Sequence, residues 1–131
     1  MIDLATLTGA VVVALGHELT GAMGNDDELI NELIESGKRT SEGVWPLPIL
    51  DLHKDEMKGN VGDLRNISGP STGAGSSTGG AFLSYFVSKT SWVHLDIAGS
   101  AWGAAQRDYQ GGDKGTGVGV RLLMDYLQST R

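Results

Sequence analysis

Segments suited to β-strands alternate along this chain with segments that carry the pattern of a helix. The run IDLAT near the start and the later run WVHLDIAG are typical of buried strands. Between them, NDDELINELIESGKRT carries one apolar helical stripe, formed by Leu29, Ile30, Leu33 and Ile34. Strands that alternate with helices predict an α/β fold, and 131 residues suffice for one such domain.

The ends of the helices can also be predicted. For the first long helix, Asn25 is the expected N-cap, Glu28 would complete a capping box, and Gly37 marks the C-terminal end. The run AVVVALG fits either a helix or a strand. The last segment, GTGVGVRLLMDYLQST, is predicted as a helix with a buried stripe of Val120, Leu123, Met124 and Leu127.

The composition excludes several classes of function. The net charge is −6, so the chain lacks the basic balance that non-specific nucleic-acid binding requires. There is no cysteine, which rules out disulfides, cysteine-ligated zinc and a thiol nucleophile. No apolar run approaches the ~18–20 residues of a membrane span, and the start lacks the basic region of a signal peptide. We therefore expect a cytoplasmic protein that binds neither nucleic acid nor membranes.

Glycine accounts for 20 of the 131 residues, and one cluster forms the loop 69–80, GPSTGAGSSTGG. A glycine-rich loop that enters a helix can bind an anion through its backbone N–H groups. Neither GxxxxGK[ST] nor GxGxxG is present, so a loop that lines a site by close backbone approach is the favoured interpretation. Ser77 fits GxSxG, but a glycine loop rather than a strand precedes it, which disfavours a serine hydrolase.

His94 and Asp96 lie two residues apart on a predicted strand, so their side chains share one face of the sheet. Such a pair could bind a metal, form part of a catalytic relay, or be held in the core by hydrogen bonds. A metal site needs three or four ligands, and the other histidines, His17 and His53, are scattered. A relay usually takes its members from separate elements. A buried polar pair is the favoured interpretation, although the residues alone leave the alternatives open.

Several motifs together resemble one known family, the leucyl aminopeptidases, which are cytosolic metallo-exopeptidases of the M17 family. In order and spacing, the matching motifs are IDLATLTGAVVVALG, LTGAMGND, EGVWPLPI, VGDLRNISG, TGGAFLSYFV, WVHLDIAGSAW and GTGVGVRLL. The resemblance implies a mixed β-sheet flanked by helices, with residues 1–131 as the C-terminal portion of the catalytic domain. It also implies an enzyme that removes N-terminal residues, often leucine, from peptides.

The family uses two divalent metal ions, zinc or manganese, held by a lysine and several carboxylates. Its catalytic arginine lies in an NTDAEGR motif, which this sequence lacks, and no segment matches that of the ligand lysine. The resemblance thus implies no catalytic residue and no bound metal in this chain, which would be inactive alone. The family forms hexamers, which implies a homo-oligomer, and the chain alone is expected to self-associate. The alternative function is a non-catalytic module that binds a peptide or an anion.

The resemblance also carries over one wall of the peptide-binding cleft. The matching positions are Thr6, Leu7, Gly9, Ile67, Ala98 and Ala101. The first three correspond to a strand end that lines the cleft, where the backbone at Leu7 and Gly9 could bond the peptide. The two alanines correspond to the pocket for the N-terminal side chain, and the isoleucine to the pocket for the next residue. Small and apolar groups of this kind suit aliphatic side chains.

Overall fold

A computed structural model describes residues 1–70, 72–103 and 113–130 of the chain. No helix within these ranges is long and apolar enough to cross a membrane. The elements in chain order are β1 (Ile2–Ala5), α1 (Ala10–Leu15), β2 (Thr20–Gly24), α2 (Asp27–Thr40), β3 (Val44–Pro46), α3 (Asp51–Glu56), α4 (Gly75–Ser84), β4 (Val93–Asp96) and α5 (Val120–Ser129).

The four strands form one mixed sheet in the order β1-β4-β2-β3. β1 runs parallel to β4, whereas β2 runs antiparallel to β4 and parallel to β3. This mixed sheet with its helices confirms the predicted α/β fold. In the parallel pair, Ala5 is opposite Asp96, so β1 and β4 end at the same edge of the sheet.

The main core lies on the face of the sheet that α2 and α5 cover. Leu33 of α2 and Leu122 of α5 pack with Ala22 and Leu95 of the sheet, and none of the four is more than 1% exposed. Burial of each leucine side chain contributes about 1.5–3 kcal/mol. On the opposite face, α4 packs against β2. The sheet is therefore covered on both faces, while the edge at the ends of β1 and β4 stays available for a site.

α2 carries the predicted apolar stripe, but both of its ends differ from the prediction. Asp26, not Asn25, is the N-cap, and its side chain accepts a hydrogen bond of 3.0 Å from the Leu29 amide. Leu29 is thus the third helical residue, and the predicted capping box is wrong. Asn25 instead accepts a bond of 2.8 Å from the Trp92 amide. Gly37 lies inside the helix, where a Cβ would come within 2.6 Å of a backbone oxygen, so this glycine serves close packing.

α5 is a helix as predicted, but it turns a different face toward the core. Leu122 is its buried residue, and Leu123 and Tyr126 pack beside it, partly buried. Three members of the predicted stripe are more than half exposed: Val120, Met124 and Leu127. Periodicity indicates that an apolar stripe exists, but contacts with the rest of the protein decide how the helix is rotated about its axis. The predicted stripe is therefore wrong in three of its four positions.

Two further segments are helical. The run AVVVALG, which the sequence left ambiguous, forms α1 with Val11 buried. Part of the predicted loop 69–80 belongs to α4, which begins at Gly75, and Ser71 of that loop lies outside the described residues. Ser77 is 6% exposed within α4, so it is not presented on a nucleophile elbow.

Candidate functional site

Two turns meet at the edge of the sheet where β1 and β4 end. Residues 6–9 lead from β1 into α1, and residues 97–101 form a turn after β4 in which the Ala101 amide bonds the Ile97 carbonyl at 2.9 Å. In α/β sheets, the carboxyl ends of parallel strands are the usual place for a ligand. These two turns contain five of the predicted site residues: Thr6, Leu7, Gly9, Ala98 and Ala101.

The carboxylate of Asp96 holds the two turns together. Its Oδ1 accepts hydrogen bonds from the Leu7 amide and from the Ala98 amide, both at 3.2 Å. Its Oδ2 accepts a bond of 2.6 Å from the Thr8 hydroxyl. Asp96 is fully buried, and bonds to a charged acceptor are about twice as strong as neutral ones. One side chain therefore fixes the first turn relative to the second.

His94 bonds a different carboxylate. Its Nδ1 lies 2.6 Å from Oδ1 of Asp3, and the Trp92 indole donates to Oδ2 of Asp3 at 2.6 Å. His94 is fully buried, and its Nε2 has no hydrogen-bond partner among the described residues. His94 and Asp96 are thus each held by internal hydrogen bonds, which confirms the favoured interpretation. They do not bond each other: the partner of His94 lies on β1, whereas those of Asp96 lie in the two turns.

A cavity of about 500 Å³ opens beside the turn after β1. Leu7 and Gly9 line it from this turn, and Ile67 lines it from the loop before α4. Met57 and Phe82 add apolar wall from the end of α3 and from α4. None of the described residues that line the cavity carries a charge. A cavity of this size and chemistry suits an apolar group of a ligand.

The remaining predicted residues lie outside this cavity. Thr6 is exposed at the start of the first turn, and Ala98 and Ala101 lie in the second turn. Ala98 is connected to the cavity wall through Asp96, which also bonds Leu7. The predicted residues therefore form two groups, three that line one cavity and three in the turns beside it.

The close approach of α4 to the first turn and the start of α1 depends on two glycines four residues apart. A Cβ at Gly75 would lie 2.8 Å from the Ala10 Cβ, and a Cβ at Gly79 would lie 2.9 Å from the Thr8 methyl carbon. Residues four apart share one face of a helix, so this spacing was the available signal for a closely packed helix. It was missed because residues 69–80 were predicted to form a loop. Sequence reasoning did not predict the other residues that line the cavity, among them Thr8, Met57 and Phe82.

The ionisable side chains near the cavity do not fit a metal site. In the part of the chain that the structure describes, no three histidine, aspartate or glutamate side chains are grouped as metal ligands. Asp96 and Asp3 already accept hydrogen bonds at both carboxylate oxygens. His17 and His53 each bond a separate backbone group. These side chains are therefore committed to hydrogen bonds within the fold, and among the described residues they do not form a metal-ligand set.

The structure is an α/β domain with an uncharged cavity beside the turn that follows β1, and comparison with known proteins identifies its family. The chain belongs to the cytosol aminopeptidase family, whose catalytic-domain profile matches residues 1–124. This finding confirms the resemblance carried by the sequence motifs.

The relatives show how much of such a protein the chain corresponds to. It is 51% identical over 131 residues to a probable cytosol aminopeptidase of Geobacter sulfurreducens, covering 99% of this chain and 26% of the relative. A probable cytosol aminopeptidase of Neisseria meningitidis is 45% identical over 130 residues, with coverages of 98% and 26%. A mutant of tomato leucine aminopeptidase superposes with a TM-score of 0.86 at 36% identity, covering 98% of this chain and 24% of that one. The chain thus spans about a quarter of the length of the relatives it matches.

Proposed function

We propose that this chain supplies the peptide-binding walls of a metal-dependent aminopeptidase that releases N-terminal residues, leucine among them, from peptides. In this proposal, residues 1–131 are the C-terminal portion of the catalytic domain. The observation that carries the proposal is the uncharged cavity at the ends of the parallel strands, in a chain of this family. Because the relatives' names include the word cytosol, we also propose a cytoplasmic location.

The first turn would bind the backbone of the peptide. The Leu7 amide is already bonded to Asp96, so the Leu7 carbonyl oxygen is the group that can accept a bond from a peptide N–H. Among the described residues, no donor occupies that oxygen. Gly9 has no side chain between the turn and the cavity, which allows close approach of a ligand backbone. These features support a role for Thr6, Leu7 and Gly9 in orienting the peptide.

The side-chain pockets would be apolar and small. Ile67 is 74% exposed on the rim of the cavity, where it can contact the second residue of a peptide, with Met57 and Phe82 deeper in the wall. Ala98 and Ala101 would leave room for the N-terminal side chain in the second turn. An uncharged lining disfavours a charged second residue, because its desolvation would not be compensated. We therefore propose a preference for aliphatic side chains at both positions.

The chemistry itself would come from outside the described residues. Because those residues do not fit a metal site, we assign no chemical step to them and propose that the two divalent ions, manganese or zinc, are held elsewhere in a longer protein. This chain alone would then show no metal-dependent cleavage. We also propose a homo-oligomer, an idea that the exposed apolar residues of α5 support.

The test uses the full protein encoded by the gene that contains this chain, with and without divalent metal. We expect metal-dependent release of leucine from Leu-Leu and Leu-Lys, with Leu-Leu preferred. Ile67→Asp should shift this preference toward Leu-Lys by about tenfold, which corresponds to ~1.4 kcal/mol. Val61→Asp is the matched control, since Val61 is fully exposed and does not line the cavity. The proposal fails if the full protein releases no leucine, and the role of Ile67 fails if both variants behave alike.

A further inference from the structure

A chain of hydrogen bonds links three elements around the cavity. The Thr8 hydroxyl donates to Asp96 Oδ2 at 2.6 Å, which connects the first turn to the end of β4. The Thr8 hydroxyl oxygen also lies 3.2 Å from the Ser76 hydroxyl of α4, and it accepts a hydrogen bond from the Val11 amide of α1 at 3.3 Å. A hydroxyl has one donor and two acceptor sites, and the carboxylate can only accept. Ser76 must therefore donate to Thr8, and every hydrogen-bonding site of the Thr8 hydroxyl is occupied.

The methyl group of Thr8 has a separate contact. It faces Gly79 of α4, where the space is so small that a Cβ would lie 2.9 Å from it. Thr8 is thus held on two sides: its hydroxyl bonds Asp96 at the end of β4, and its methyl group packs against α4. Thr8 itself lines the cavity, as do its neighbours in sequence, Leu7 and Gly9.

We propose that Thr8 is a positioning residue, which sets the shape of the peptide cavity through Leu7 and Gly9 while Asp96 and Ser76 fix its own orientation. This inference rests on the proposed function, because it assigns a role in peptide binding to a residue next to the proposed contacts. If the hydroxyl is lost, the turn keeps its covalent path but loses the bonds that orient it toward α4 and β4. The cavity wall then samples several positions, and peptide binding weakens in the ground state and transition state alike.

The variant that separates this role from simple packing is Thr8→Val, which keeps the methyl group and the branched shape but removes the hydroxyl. Thr8→Ser is the conservative variant, since it restores the hydroxyl. Ser36→Ala is the matched control, because Ser36 is fully buried in α2 and its hydroxyl accepts a bond from Arg39 at 3.0 Å, on the other side of the sheet. All variants are made in the full protein and assayed with Leu-Leu well below their melting temperatures.

We expect Thr8→Val to raise KM by about tenfold while kcat changes by less than about threefold. Thr8→Ser should stay within about twofold of the unmodified protein, and Ser36→Ala should lower the melting temperature without changing KM. If Thr8→Val does not fold, Ser76→Ala is measured instead, with an expected rise in KM of about threefold.

The outcomes separate this inference from the function on which it rests. An unmodified full protein that releases no leucine overturns the proposed function. An active unmodified protein in which Thr8→Val, or in its absence Ser76→Ala, keeps the normal KM overturns the positioning role alone. The same holds if Ser36→Ala raises KM as much as Thr8→Val does, because a general loss of stability would then explain both.

Discussion

Glu42 is predicted to hold the last helix in place. It follows α2 in the chain and is 4% exposed, and its Oε2 accepts hydrogen bonds from the Gly119 amide at 3.1 Å and the Leu122 amide at 2.9 Å. Its Oε1 accepts from the Arg121 side chain at 3.2 Å. The N-cap of α5 is Gly119, which has no side chain with which to cap the helix. Glu42 therefore does from a distance what an N-cap side chain does locally.

The magnitude follows from these contacts. Two hydrogen bonds from backbone amides to a carboxylate contribute about 1.5–3 kcal/mol each, and a negative charge at a partly buried helix N-terminus adds up to ~2 kcal/mol. The desolvation of a buried carboxylate offsets several kcal/mol of this gain. We expect Glu42→Ala to lower the free energy of unfolding by about 2–4 kcal/mol, since it leaves two buried amides without an acceptor. Glu42→Gln keeps one acceptor and should cost about half as much.

Urea unfolding followed by circular dichroism measures this change, and hydrogen exchange at the Gly119 and Leu122 amides locates it. The control is Glu35→Ala, which removes a surface ion pair with Lys38 and should leave the midpoint nearly unchanged. Glu42→Ala with a wild-type midpoint and wild-type exchange at both amides would contradict this capping role of Glu42. A loss of unfolding free energy in Glu42→Ala no larger than that in Glu35→Ala would contradict it as well.

Three further predictions concern other parts of the fold. The hydrogen bond from Arg39 holds the pKa of Asp125 below its ordinary 3.8. The Arg39–Asp125 pair therefore stabilises the folded protein fully above pH 3.8. In that range Asp125→Asn should have a lower unfolding midpoint than the unmodified protein, and this difference should disappear as the pH falls through the lowered pKa of Asp125 in the folded protein. Gly24→Ala would press a Cβ against the backbone carbonyl oxygen of Trp92, just before β4, so we expect a loss of about 2 kcal/mol or more in the free energy of unfolding by denaturant titration. Gly115→Ala should be neutral, since no atom of the described residues would contact its Cβ. The chain alone should self-associate in analytical ultracentrifugation, and Leu127→Lys on the exposed face of α5 should weaken this, whereas a monodisperse monomer would contradict it.

The sequence by itself determined the fold class, the helix α2 with its buried stripe, and the family. These rest on local information, since the period of an apolar pattern and the order of motifs can be read without knowing which distant segments meet. It also indicated that His94 and Asp96 are buried and form internal hydrogen bonds, because a polar pair on a buried strand needs internal partners.

The partners of these two side chains, and the direction in which each helix turns its apolar face, became known only from the three-dimensional structure. Asp96 bonds Thr8, which is 88 residues away in the chain, and Glu42 caps a helix whose N-cap residue lies 77 residues later. The cavity likewise combines Leu7, Ile67 and a helix that two glycines bring close to the first turn. Local patterns carry no information about such pairings, because the energy of a hydrogen bond or a packed face depends on a partner that folding alone brings into contact.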